Sequence, residues 1–371
     1  MNRYTTILTS MLLFLSVIVC AQGRQNRQNV EKNYIIGFYN LENLFDIYDD
    51  PAKNDEEYLP DGKNKWTQEK YEKKLANMAK VIRSMKNDNG AYHTILGVSE
   101  IENRLVIEDL VSQPAIADAN YQIVHYDGPD RRGVDVALLY RPDQFKFLDS
   151  ESIPYTFDSK NIEFSEMTKE QQDYFRTRDI LMVHGLIDGE HFAFYVAHLP
   201  SRAGGKKGGD DLRSRGGEIM YEHAKMMEQK YPGIKIVCMG DMNDNPTDNS
   251  MAKYLRGKEK PEEVGKDDFF SPFLSMLKAG YGSLCYQGTW SIYDLELVNW
   301  NLLNAPDGGL KLKQVIKPKK NKPGFYGIIY HQPWMTTQEG QYKGYPFRTF
   351  SNGSFINGYS DHYPTYIVVT K

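Results

Sequence analysis

The sequence predicts an α/β fold in a single large domain. Short runs of β-branched and apolar residues recur along the chain and are typical of buried strands, as in Ile234–Met239. Apolar residues at helical spacing are confined to a few segments, mainly 66–86 and 211–231. The strand segments follow one another without an internal repeat or a low-complexity tract, which favours one domain over two.

Composition narrows the class of protein. With 371 residues, 40% of them hydrophobic and 13% aromatic, the chain can bury a large core. Its formal net charge of −4 argues against a general polyanion binder held by net charge, although a local basic tip such as Arg131–Arg132 can still steer an anionic substrate. No run of 18 apolar residues occurs, so we expect no transmembrane segment in the mature protein.

The N-terminus predicts export. Arg3 precedes an apolar stretch from Ile7 to Val19, and small residues before Gln22 form a plausible cleavage site. We therefore expect a signal peptide at 1–21, a polar linker at 22–32 and the folded domain at 33–371, with a periplasmic or extracellular location. Cys20 raises a lipid anchor as the alternative, which the preceding Val19 disfavours.

Three of the predicted strands end in two polar residues at alternate positions. The pairs are Asn40 and Glu42, Glu100 and Glu102, and Asp241 and Asn243. Alternate residues of an extended segment point the same way, so each pair can face one point. One such ending also fits an ordinary turn, but three in one chain predict strands that converge on a common site.

Further polar residues close other segments. His198 ends an apolar strand before a Gly/Lys/Arg segment, Ser201–Arg215, which we expect to be a flexible basic loop or a merely solvated one. Asp294 lies near the start of a predicted strand over Gly288–Asn299, and Asp361–His362 precedes the last strand. His184 and His191 fall on the alternating polar positions of a predicted hairpin, where a solvated or hydrogen-bonded histidine is more common than a catalytic one.

Seven segments in order carry a family resemblance. They are FYNLENLFD, VSEIENR, GVDVALLYR, RTRDIL, VAHLPSR, GDMND and YSDHYP. The chain from Asn33 onward resembles the endonuclease/exonuclease/phosphatase superfamily. The resemblance implies a four-layer α/β sandwich of two packed, mostly antiparallel sheets flanked by helices.

The resemblance also implies roles for particular residues. It implies metal binding by Asn40, Glu42, Glu100 and Asp361, catalysis by His198, Asp241, Asn243, Asp294 and His362, and contact of Arg178 with the substrate phosphate. The expected cofactor is Mg²⁺, with Mn²⁺ or Ca²⁺ as alternatives, because carboxylates suit a hard cation that neutralises phosphoryl charge. The insertion between Asp294 and Asp361 is longer than the family usually has.

The expected activity is phosphoester hydrolysis by a secreted nuclease or phosphodiesterase. A phosphatase or sphingomyelinase-like enzyme on lipid or small-molecule phosphates is the alternative, and the expected partner is such a substrate and no stable protein. An exported binding protein that has lost catalysis on the same fold stays open, because a fold alone does not determine function.

Overall fold

Two packed β-sheets form the centre of the computed structural model, which describes residues 31–202, 206–319 and 324–371. In chain order the strands are β1 (Asn33–Leu44), β2 (Ile95–Ile101), β3 (Gln122–His125), β4 (Asp135–Tyr140), β5 (Phe145–Ile153), β6 (Ile180–Ile187), β7 (Glu190–His198), β8 (Lys235–Asp241), β9 (Gly257–Lys258), β10 (Phe269–Phe270), β11 (Leu284–Tyr286), β12 (Thr289–Ser291), β13 (Asp294–Asn299), β14 (Lys311–Leu312), β15 (Gly327–Ile329), β16 (Phe350–Ser351), β17 (Ser354–Phe355) and β18 (Thr365–Thr370). Sheet A has the order β14-β18-β1-β2-β4-β3, with β15 also on β18, and sheet B has the order β5-β6-β7-β8-β13-β10-β9.

Most neighbouring strands are antiparallel, but each sheet contains one long parallel pair. In sheet A this pair is β1 with β2, and in sheet B it is β7 with β8. The α-helices are α1 (Gln68–Asn89), α2 (Arg104–Val111), α3 (Lys169–Tyr174), α4 (Lys206–Lys230), α5 (Leu274–Lys278) and α6 (Trp300–Leu303).

Alternation along the strands divides the core into layers. Ile36 and Phe38 of β1 belong to the cluster between the two sheets, together with Val237 of β8. Ile35 and Tyr39 of the same strand point the other way and pack in the cluster that contains α1 and α2. Helix α4 adds its own apolar residues to the first of these two clusters. The predicted four-layer sandwich with two mostly antiparallel sheets is confirmed.

One predicted strand is in fact two. Gly288–Asn299 was expected to be continuous, but β12 pairs with β11 in a small separate sheet and β13 belongs to sheet B. The strand breaks at Ile292 and Tyr293 because main-chain groups of these two residues hydrogen-bond to the loop after β8. Met242 N–H donates to the Tyr293 carbonyl at 2.8 Å, and Ile292 N–H donates to Asn245 Oδ1 at 3.0 Å.

The expected basic loop is largely helix. Residues 203–205 lie outside the described part of the chain, and α4 already begins at Lys206. Arg213 is buried with its Nε 2.7 Å from Asp244, and Arg215 is buried with its Nη1 2.6 Å from Glu218. These two arginines are therefore held in ion pairs and do not form a free phosphate-binding rim.

The predicted signal peptide and nearly all of the predicted linker lie outside the described residues. Asn33–Lys371 forms one compact unit by itself. None of the helices in the described part of the chain combines the length and the apolar character that a membrane span requires.

His93 is a buried histidine on the face of sheet A that contacts Tyr366. It is fully buried, and its ring meets the edge of Tyr366 with the ring centroids 5.3 Å apart. Among the described residues, neither of its ring nitrogens has a hydrogen-bond partner. Burial lowers the pKa of His93 to about 3, because a charged imidazole would lose its hydration there.

This burial predicts acid sensitivity. A histidine in the unfolded chain gains its proton near pH 6.5, so the stability that neutral His93 allows is complete above pH 6.5 and is lost as the pH falls towards 3. His93 should thus remove about 2 kcal/mol of unfolding free energy between pH 7 and pH 5. Urea denaturation of His93→Leu should show a shallower pH dependence by that amount, whereas His331→Leu, at an exposed position, should retain the original slope. An unaltered slope in His93→Leu would contradict this account.

Candidate active site

The two parallel strand pairs end at the same place. In sheet B, the strand registers place His198 opposite Asp241 and Asp241 opposite Asp294, so the three side chains lie next to one another. In sheet A, Asn40 lies opposite Ser99, and Glu100 follows directly. The carboxyl ends of neighbouring parallel strands meet at one edge of a sheet, which is where ligand sites commonly form.

Side chains from the two sheets make direct contact at this edge. Asn40 Nδ2 donates to Asp241 Oδ2 at 3.0 Å and to Glu100 Oε1 at 3.3 Å. His198 Nε2 lies 3.7 Å from the same Asp241 oxygen and 3.9 Å from the same Glu100 oxygen. Asn40, Glu100, His198 and Asp241, all predicted site residues, are therefore brought together.

His362 completes the cluster from the other side. Its Nδ1 lies 2.8 Å from Asp294 Oδ2, and its Nε2 lies 3.9 Å from Asp241 Oδ2. The same Asp294 oxygen accepts a hydrogen bond from the Ser283 hydroxyl at 2.5 Å. Asp294 therefore fixes the ring of His362 so that Nε2 faces the shared cluster, despite the long insertion between these two residues.

Burial sets the charges of the cluster. It raises the pKa of Asp241 to about 7, with Asp294 adding to this shift and His362 opposing it. Burial also lowers the pKa of His198 well below its usual value, and the nearby positive groups of Arg178 and Arg132 lower it further. For His362, burial alone would lower the pKa, but the carboxylates of Asp294 and Asp241 outweigh it and raise the pKa well above the usual value.

The strand ends are not simply extended, so the expected side-chain alternation fails there. Glu42, Glu100 and Asn243 have φ angles of 49°, 57° and 50°, in the left-handed region that non-glycine residues rarely adopt. As a result Glu102 turns away from Glu100, and its Oε2 accepts a hydrogen bond from Asp46 N–H at 2.7 Å. Asn243 stays beside Asp241, with its N–H 2.9 Å from Asp241 Oδ1, but its Nδ2 donates to the Leu199 carbonyl.

Gly240 allows β7 and β8 to approach closely just before the site. A Cβ atom on Gly240 would lie 2.0 Å from the Ala197 carbonyl oxygen, a distance that no side chain can adopt. The glycine that interrupts the apolar run thus permits the close pairing of His198 with Asp241.

Arg178 is bonded to Asp130 and to main-chain carbonyl groups next to the cluster. Its side chain is 7% exposed, and its Nη1 donates to Asp130 Oδ2 at 2.9 Å. Its Nε and Nη2 donate to the carbonyl oxygens of His198 and Leu199, each at 3.1 Å. In this position Arg178 supports the main chain that carries His198. Sequence reasoning did not single out its partner Asp130.

Glu42 and Asp361, two of the expected metal ligands, face an arginine. Arg348 Nε donates to Glu42 Oε1 at 2.9 Å, and Arg348 Nη2 lies 3.0 Å from Asp361 Oδ2. The other oxygen of Glu42 accepts from Thr349 N–H at 2.7 Å and lies 3.9 Å from the buried Lys74 ammonium. Sequence reasoning missed Arg348 and Lys74; the position of Lys74 beside Leu75 on the apolar face of α1 was the one available signal.

The donor set fits a hard divalent cation at Glu100 and Asp241. Oxygens of these two side chains and a nitrogen of His198 all lie within 4.8 Å of one another. Among the described residues, neither carboxylate is ion-paired with a lysine or an arginine. Two such carboxylates held in a buried site favour a cation strongly, and Mg²⁺ prefers oxygen ligands of this kind. As oriented, Asn40 presents its amide nitrogen to both carboxylates and its oxygen to Glu42 N–H.

Two solved structures from Bacteroides thetaiotaomicron share the fold. The first is an endonuclease/exonuclease/phosphatase family protein, with 14% sequence identity and a TM-score of 0.52 over 92% of this chain and 98% of the other. The second is a mannosyl-6-phosphatase, with 15% identity and a TM-score of 0.50 over 91% of this chain and 99% of the other. A comparison with curated protein sequences finds no significant match.

A sequence model of the Endonuclease/Exonuclease/phosphatase family matches residues 35–371, almost the whole described domain. The chain therefore belongs to the endonuclease/exonuclease/phosphatase family, whose members are phosphoester hydrolases that depend on a divalent metal.

Proposed function

We propose that this chain is an exported, Mg²⁺-dependent phosphodiesterase that cleaves nucleic acids by attack of a water molecule on phosphorus. The observation that carries the proposal is the joint position of Asp241 and His362. Asp241 Oδ2 and His362 Nε2 lie 3.9 Å apart, and the same Asp241 oxygen lies 3.7 Å from His198 Nε2.

Asp241 and His362 are assigned to the attacking water. Both can hydrogen-bond to a water molecule or a phosphoryl oxygen placed between them, and such positioning accounts for much of enzymatic rate enhancement. Asp294 holds His362 Nδ1 at 2.8 Å and so fixes the direction of Nε2. The N–H of Asn243 holds the second oxygen of Asp241 at 2.9 Å.

Glu100, Asp241 and His198 are assigned to charge stabilisation. Glu100 and Asp241 would hold Mg²⁺, which when bound neutralises charge that develops on phosphoryl oxygens. His198 is neutral because its pKa is lowered by burial, so it can donate one hydrogen bond to a phosphoryl oxygen without adding a charge.

A basic rim supports a polyanionic substrate. Arg131, Arg132 and Arg176 are exposed on the two segments that flank Arg178. Arg131 Nη2 donates to the Tyr174 carbonyl at 3.2 Å and so links the two segments. Asp130, next to Arg131, is ion-paired with Arg178, which in turn donates to the His198 carbonyl, so the rim adjoins the cluster and can contact phosphates next to the scissile bond.

His362→Ala and Asp241→Ala test the assignment. Each should lower kcat by about 10²- to 10⁴-fold, because each removes a group that positions the attacking water. Hydrolysis of bis-p-nitrophenyl phosphate in Mg²⁺, with parallel reactions in EDTA, provides the rates. His191→Ala, a histidine at the far end of the β6–β7 hairpin, should behave like the wild type. Wild-type turnover in either site variant would refute the roles assigned to Asp241 and His362.

A substrate panel tests the proposed substrate class. Plasmid DNA, RNA, sphingomyelin and mannose 6-phosphate are incubated with the purified protein, with Mg²⁺ and with EDTA. We expect Mg²⁺-dependent cleavage of DNA or RNA. Hydrolysis of the phosphomonoester or the lipid alone would replace the nuclease assignment with a phosphatase or a sphingomyelinase-like one. Absence of all hydrolysis would favour a binding protein that has lost catalysis.

Arg178→Met separates support of the fold from contact with the substrate. Removing the guanidinium would take from the buried Asp130 its ion pair at 2.9 Å, leaving only Arg132 at 4.0 Å, and would remove two hydrogen bonds to main-chain carbonyls. The free energy of unfolding should therefore fall by about 3–5 kcal/mol. Arg104→Met, which breaks an exposed ion pair with Glu108, should change it by at most about 1 kcal/mol. Urea denaturation measures both. An undiminished stability of Arg178→Met with a raised KM would instead establish the phosphate contact expected from the family resemblance.

A further inference from the structure

Arg348 is the one cation that joins two carboxylates at the rim of the described cluster. Its Nε and Nη2 lie 2.9 Å from Glu42 and 3.0 Å from Asp361, so neighbouring nitrogens of one guanidinium hold both acids. A planar guanidinium suits such a paired contact better than an ammonium group does. Because both acids reach the same guanidinium, they would also reach a single metal ion placed there.

The segment that carries Arg348 is held rigidly. Tyr359 N–H donates to the Phe347 carbonyl at 2.6 Å, and Ile356 N–H donates to the Thr349 carbonyl at 2.9 Å. The residues on both sides of Arg348 are thus hydrogen-bonded to the segment 356–359. Lys74 Nζ holds the Thr349 hydroxyl and the Tyr359 carbonyl, each at 2.6 Å. A Cβ on Gly358 would lie 2.0 Å from the Arg348 carbonyl oxygen, so this approach requires glycine.

Most carboxylates of the cluster have a basic or histidine partner, but two do not. Glu42 and Asp361 are matched by Lys74 and Arg348. Asp241, Asp294 and His362 also lie close enough together to hold an ion, but there Asp294 is already hydrogen-bonded to His362 Nδ1 at 2.8 Å. Glu100 and Asp241 are ion-paired with neither a lysine nor an arginine in the part of the chain that the structure describes. Their two negative charges equal the charge of one divalent ion.

We propose that Arg348 acts as a built-in cation for Glu42 and Asp361, so that this centre binds one divalent metal ion, at Glu100 and Asp241, and not two. This inference rests on the proposed metal-dependent function and specifies its metal content. Arg348 is a positioning residue, because it acts through the two carboxylates that it holds. Since its side chain is 49% exposed, an uncharged side chain of similar length, such as Met or Gln, can be accommodated without opening a cavity in the core.

Metal stoichiometry tests the proposal without any substrate. Purified protein is titrated with MnCl₂, and bound ions are counted by electron paramagnetic resonance of free Mn²⁺ and by calorimetry. The wild type should bind one ion per chain. Arg348→Met should bind a second ion, because Glu42 and Asp361 are then free to ligate it. Magnetic coupling between the two bound Mn²⁺ ions should then appear in the spectrum.

Three further variants serve as controls. Arg348→Lys keeps a positive charge and should still bind one ion. Arg348→Met combined with Glu42→Gln should lose the second ion again. Arg104→Met, at an exposed ion pair on α2, should bind one ion.

Two ions in the wild type, or one ion with unaltered affinity in a folded Arg348→Met, would overturn the proposal. If Arg348→Met fails to fold, Arg348→Gln takes its place, with the same two ions expected and one ion with unaltered affinity contradicting the proposal. The outcome is separable from that of the proposed function. A protein that binds one Mn²⁺ but hydrolyses no phosphoester would leave the stoichiometry standing, whereas an active enzyme with two ions would refute this inference alone.

Discussion

Two carboxylates, Glu100 and Asp241, are held within reach of each other by strands from different sheets, and Asn40 is the hydrogen-bond donor between them. Burying such a pair without a compensating cation is costly, so the packing of the two sheets must hold them there against their repulsion. Burial has already raised the pKa of Asp241 to about 7. The affinity for a divalent cation follows from this arrangement, because a cation removes the repulsion that the fold imposes.

The architecture explains how this repulsion is sustained. Each sheet contributes one parallel pair of strands, and both pairs end at the same edge, where Asn40 and Glu100 of sheet A meet His198 and Asp241 of sheet B. The other acids of the cluster each have a partner: Glu42 and Asp361 contact Arg348, and Asp294 contacts His362. Among the described residues of the cluster, Glu100 and Asp241 are therefore the acids without a lysine or arginine partner and without a hydrogen bond to a histidine.

Sequence patterns predicted an α/β fold and polar strand ends that converge, and the family resemblance implied the four layers, but neither predicted the direction of every side chain. Buried strands are recognisable from β-branched runs, and the registers of β7, β8 and β13 then place His198, Asp241 and Asp294 together. Alternation failed for Glu42 and Glu102, because left-handed residues at the strand ends rotate the chain. The partner of Glu42 could not be predicted either, since Arg348 follows it by 306 positions and lies in a segment without a regular pattern.

The affinity for Mg²⁺, measured by calorimetry in Glu100→Gln and Glu102→Gln, tests the central claim most directly. Glu102 is a matched control two positions away, because burial raises its pKa to about 8 and a glutamine oxygen can still accept from Asp46 N–H. The account predicts that Glu100→Gln weakens Mg²⁺ binding by more than about 10-fold and that Glu102→Gln leaves it unchanged. Equal affinity in the wild type and Glu100→Gln, with a loss in Glu102→Gln, would contradict it.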